Sequence, residues 1–133
     1  MKVAIHLFSR LKMLSAGVFA GIAGLSPCRA DVVTDWNAEL ISGIRSTSQN
    51  PPTASRQMAT LHFATSDAVN GIQRTHTPYH VSALAPAGAS KAAAVSAAAK
   101  TIMDALYAGA GHANNATVRA NAQARYDADL AAI

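Results

Sequence analysis

Apolar residues recur through positions 31–133 at intervals of three and four, interrupted by short polar stretches that carry proline and glycine. This spacing gathers side chains on one face of a helix and predicts helices rather than strands. Trp36, Leu40, Ile41 and Ile44 form the first stripe, with Thr34 or Asp35 placed to cap it. Positions 46–52 break the pattern. Pro51 and Pro52 stop one helix and can open the next, because a proline's missing N–H costs nothing in a first turn. The second helix is predicted over about 53–72, with Met58, Leu61, Ala64 or Thr65, Ala68 and Ile72 along one side and Gly71 weakening its end. Positions 74–90 read as a loop holding Pro78, Pro86 and Gly88. Ser90 is placed to cap a third helix from 91 to about 107, whose inner stripe is Val95, Ala98 or Ala99, Ile102 and Leu106. Its alanines lose little side-chain entropy and leave a slim face that another helix can approach closely. A loop over 108–115 leads to a last helix over 116–132, where Tyr126, Leu130 and Ile133 continue an apolar stripe to the final residue. The fold class this implies is all-α: a partial helical bundle of about four helices. Alanine contributes little buried area, so the predicted core is thin and its stability alone marginal.

The first thirty residues have a different pattern. Lys2, Arg10 and Lys12 precede an apolar run at 13–25 that is too short to cross a bilayer comfortably. Cys28-Arg29-Ala30 then offers small residues at −3 and −1 of a cleavage site. This is the pattern of a secretory signal peptide over 1–30, which implies export to a bacterial periplasm or beyond the cell, with no membrane attachment after cleavage. Lipoprotein processing at Leu25-Ser26-Pro27-Cys28 is the alternative, although a proline before the cysteine suits that signal poorly. Cleavage changes the charge. The chain carries +4 overall, but four of its 11 basic residues (Lys2, Arg10, Lys12 and Arg29) lie in the leader, leaving seven against all seven acids. A balanced body argues against nucleic acid as a partner, which needs a basic patch. The one cysteine, Cys28, leaves with the leader, so positions 31–133 can form no disulfide of their own and hold no thiolate.

No complete catalytic, cofactor-binding or metal-binding set is visible, and Arg56 and His62 come nearest to one. They lie six residues apart in Ser55-Arg56-x5-His62. On one continuous helix they point about 120° apart and stand about 9 Å apart along the axis, which does not favour convergence on one small anion. The structural expectation is that Arg56 snorkels at the helix start and His62 packs or hydrogen-bonds between helices. His76 and His80 bracket Thr77-Pro78-Tyr79, where the proline makes a loop and no third ligand is near, so they read as exposed loop histidines. His112 sits in a glycine-rich loop and carries no signal. Asp67 and Asp104 are isolated acids inside helices, each expected to pair with a neighbour or a helix N-terminus rather than to form a dyad. There is no phosphate-cradling glycine loop and no Gly-x-Ser-x-Gly elbow.

Taken in order, Val33-Thr34-Asp35-Trp36-Asn37, Asn50-Pro51-Pro52 with Ala54-Ser55-Arg56, His62 with Asp67-Ala68-Val69-Asn70, Pro78-Tyr79 and the alanine-rich stretch 92–106 resemble the N-terminal helical region of bacterial vanadium haloperoxidase-related proteins of the PAP2 phosphatase superfamily. The likeness spans nearly all of 31–133. It implies a helical bundle whose oxyanion, vanadate or phosphate, is held by lysine, arginines and histidines of a C-terminal half. None of those residues has a matching position here. The family's Ser-Arg-x5-His-x3-Asp signature is only approached, since Ser66 stands where the acid should and Asp67 comes one residue late. Its Lys-x6-Arg-Pro and Pro-Ser-Gly-His blocks are absent. The expectation is therefore an exported scaffold segment, inactive alone, whose partner is the missing C-terminal half or another helical chain. Vanadate is implied only for a full-length relative. The alternative is a complete small envelope module acting in binding or homo-oligomeric assembly. A third reading makes Ser55, Arg56 and His62 a minimal phosphate site.

Overall fold

Four helices form where the three-and-four spacing places them, and a computed structural model describes them over residues 31–133. The expected signal peptide at 1–30 and the processing alternative at Cys28 lie outside the described residues. The helices are α1 (Val32–Ser46), α2 (Pro51–Gln73), α3 (Lys91–Leu106) and α4 (Asn115–Ala131), so the all-α expectation holds. Among the described residues no helix is long and apolar enough to cross a membrane.

Helix ends show where local sequence rules and the fold agree. Asn50 accepts a hydrogen bond from the Thr53 N–H at 2.9 Å, and both prolines sit inside the first turn of α2. Ser90 accepts from the Ala93 N–H at 3.3 Å and opens α3 as expected. The start of α1 differs. It begins at Val32, ahead of Thr34 and Asp35, and Asp31 caps it without a side-chain hydrogen bond. Asp35 is instead drawn to Arg125 of α4, so a tertiary ion pair outcompetes the local cap. Gly71 does not weaken α2, which runs on to Gln73. The loop passes so close there that a β-carbon at position 71 would lie 2.8 Å from the Ala83 carbonyl oxygen, while the Gly71 carbonyl accepts the Ala85 N–H.

α3 is central and packs against all three other helices, most extensively against α2. Its alanines permit this: Ala99 is fully buried between Val95 and Met103. Trp36 and Leu40 from α1, Leu61 from α2, Tyr107, and Val118 and Ala122 from α4 complete the core. The buried face of α3 is Val95, Ser96, Ala99 and Met103, with Ile102 and Leu106 at its border rather than inside. α1 comes close to the core at Gly43, where an added β-carbon would lie 2.9 Å from the Tyr107 hydroxyl and 3.0 Å from Val118. Tyr107 donates to Gln57 Oε1 at 3.3 Å, and burial pushes its phenol above the ordinary value, so it stays neutral.

Candidate functional site

The polar side chains form two constellations. The first ties three helices together inside the core. The Trp36 indole N–H from α1 reaches Ser96 Oγ of α3 at 3.1 Å and Asp129 Oδ2 of α4 at 2.9 Å. Ser96 donates to the same carboxylate oxygen at 2.6 Å. Arg125 Nη2, one turn before Asp129, contacts its Oδ1 at 2.7 Å and Asp35 of α1 at 2.5 Å. Burial pushes the Asp129 carboxyl up, but the Ser96 hydroxyl, Arg125 and the Trp36 N–H outweigh it and leave it below the ordinary range. Burial likewise opposes the Arg125 charge, and Asp129 with Asp35 more than restore it. Every charge here meets its opposite, which marks a structural network rather than a reactive one.

The second constellation lies at the far end of α2, where that helix holds the 74–90 loop. Asp67, buried on α2, accepts three consecutive backbone N–H groups: Tyr79 at 2.7 Å, His80 at 2.7 Å and Val81 at 2.8 Å. These bonds, with the Val81 N–H foremost, hold its carboxyl below the ordinary range against the opposing effect of desolvation. One turn on, the Asn70 amide donates to the His76 carbonyl at 2.7 Å and accepts the His76 N–H at 2.9 Å. Arg74, between them, takes the left-handed conformation that ends the helix. The Tyr79 ring stacks on Phe63 of α2 with centroids 3.9 Å apart and planes 4° from parallel. An irregular loop is thus fixed to α2 through backbone and ring together.

Arg56 and His62 face separate spaces. Arg56 lines a cavity of about 400 Å3 with Phe63, Tyr79, His80 and Ile102. His62 lines another, of about 370 Å3, with Val33, Val69, Asn70 and His76. His62 Nε2 lies 3.1 Å from Asn37 Oδ1 and so bridges α2 to α1. His76 and His80 are exposed and border different cavities, and His76 Nδ1 is 2.8 Å from Thr75 Oγ1. Among the described residues no group of three or more His, Cys, Asp or Glu side chains is placed to share a metal ion. Asp104 pairs with Lys100 at 2.6 Å and with Arg119 at 3.7 Å, the neighbour role its isolation suggested.

Sequence reasoning missed Asp129 and the loop-holding role of Asp67. Asp67 is 12 to 14 residues from the amides it binds, across a loop without periodicity. Asp129 is 93 residues from Trp36. The one available signal was a tryptophan on an inward stripe, since a buried indole N–H calls for an acceptor. No family model, no curated protein and no solved structure matches this chain.

Proposed function

We propose that residues 31–133 are an exported helical scaffold, the leading part of a vanadium haloperoxidase- or PAP2 phosphatase-like protein whose catalytic residues lie on a further half. The observation that carries this reading is the division of Arg56 and His62 between two cavities. The buried acids point the same way: Asp129 serves the core and Asp67 serves a loop. Residues so committed can brace a catalytic half without supplying its chemistry. They do not form a cradle for vanadate or phosphate, because that requires cationic and imidazole groups converging on one anion. Export rests on the leader-like pattern of positions 1–30.

Two measurements test this. The DNA downstream, read in all frames, is expected to encode Lys-x6-Arg-Pro and Pro-Ser-Gly-His, and their absence would sink the partial-enzyme reading. Bromide oxidation with added vanadate, and phosphatase assays, are expected to show no turnover by this chain. Turnover abolished by His62→Ala would instead make the histidine catalytic.

A second reading, a small envelope module that binds or self-assembles, is favoured by the exposure of Phe63, Tyr79, Val81 and Leu84 around one loop. Light scattering separates the two. A concentration-dependent oligomer supports assembly, and a stable monomer removes it.

A further inference from the structure

The cavity between α2 and the held segment 79–81 has the makings of a small-molecule site, independent of the scaffold reading. Its volume of about 400 Å3 lies within the range that encloses small ligands. Arg56, Thr60 and Phe63 line it from α2 at steps of four and three, so they share one face of the helix. Tyr79, His80 and Val81 of the loop and Ile102 of α3 also line it.

Two features specify the ligand. The first is charge. Lys100, Arg119 and Arg125 pair with acids, whereas Arg45, Arg56, Arg74 and Lys91 have no acidic partner among the described residues, and of these four Arg56 alone borders this cavity. Its planar guanidinium can offer two parallel N–H donors to a carboxylate. The second is the aromatic wall. Phe63 is 43% exposed and Tyr79 69% exposed, large rings that a chain would ordinarily cover. They are held parallel, and the Asp67 bond to the Tyr79 N–H fixes the loop side of the pair in place. Asp67 also borders the cavity, but three backbone N–H groups already occupy its oxygens.

We propose that this cavity binds an aromatic carboxylate, with Arg56 gripping the carboxylate and the Phe63–Tyr79 pair meeting the ring. An inorganic anion would leave the apolar wall unused. A neutral aromatic would leave Arg56 unpaired.

The test is amide NMR titration of the full chain with 2-naphthoate, 2-naphthalenemethanol and inorganic phosphate. Naphthoate is expected to shift the amides of Tyr79, His80 and Val81 and to bind more tightly than the other two. Arg56→Gln changes an exposed side chain and leaves the fold intact, as circular dichroism should verify. It is expected to weaken naphthoate about tenfold, the size of one charged hydrogen-bond contribution, while leaving the alcohol unaffected. Phe63→Ala should weaken both aromatics. Equal binding of acid and alcohol, phosphate binding as tight as naphthoate, naphthoate affinity unchanged by Arg56→Gln, or silent 79–81 amides at millimolar naphthoate would each overturn the proposal.

Discussion

Asp67 shows how much one side chain can organise. It lies on the buried side of α2 and collects the N–H groups of three successive loop residues, which would otherwise need water or a neighbouring strand. The bonds go to the ionised form, so they lower the carboxyl's pKa from its ordinary 3.8. The direction fixes the pH dependence. The folded value lies below the unfolded one, so the clamp's contribution is complete above the unfolded value and is lost as pH falls through the folded one. Amide hydrogen exchange between about pH 5 and pH 2 should show protection at Tyr79, His80 and Val81 that disappears in acid. In Asp67→Asn these amides should exchange faster, relative to their intrinsic rates, even at the upper end of that range. Wild-type protection that stays constant to the lowest pH would mean the carboxylate does not hold the loop.

At the scale of helices, α1, α3 and α4 meet through the carboxylate of Asp129. Trp36 and Ser96 supply donors from two of them, and Arg125 returns the charge from the same helix as the acid. Replacing Asp129 by alanine leaves a buried indole N–H with Ser96 alone and removes one of the two acids that Arg125 contacts. That should destabilise the bundle by roughly 3 kcal/mol. Chemical denaturation compared with wild type measures it, and a loss under about 0.5 kcal/mol, the size of an ordinary surface change, would contradict a structural role for the network. Aromatic near-ultraviolet circular dichroism should change in the same variant, because Trp36 loses its fixed partner. Asp67 holds its loop through the Tyr79, His80 and Val81 N–H groups, none of which belongs to the Asp129 network, so those amides should keep their protection under native conditions.

At the scale of the molecule, nine buried apolar residues form the core among the described residues, and two of them are alanines. Among the described residues only Trp36 and Tyr107 are large aromatics inside it. A core of this size cannot greatly exceed the conformational entropy of about a hundred ordered residues, so the expected unfolding free energy is low, under about 5 kcal/mol. Urea denaturation of the purified chain tests this, and a value near 10 kcal/mol would show that the thin core is stronger than its composition implies. A supporting half or a second copy covering the exposed residues near the 79–81 segment would raise the midpoint as its concentration rises.

Four helices, their approximate bounds, the Asn50 and Ser90 caps and the inward stripe of Trp36 and Leu40 follow from neighbours within a turn or two, because helix periodicity and capping are local interactions. The separation of Arg56 from His62 could likewise be anticipated from helical geometry. Tertiary structure alone decided the rest. It moved the start of α1 by offering Asp35 a partner on α4, turned Gly71 from a helix breaker into a point of close approach, and gave Asp67 and Asp129 their partners. Apart from Arg125 and Asp129, which stand one turn apart on α4, those pairings join residues between 12 and 93 positions apart, at distances set by how whole helices and a loop pack, and no repeat along the chain encodes them.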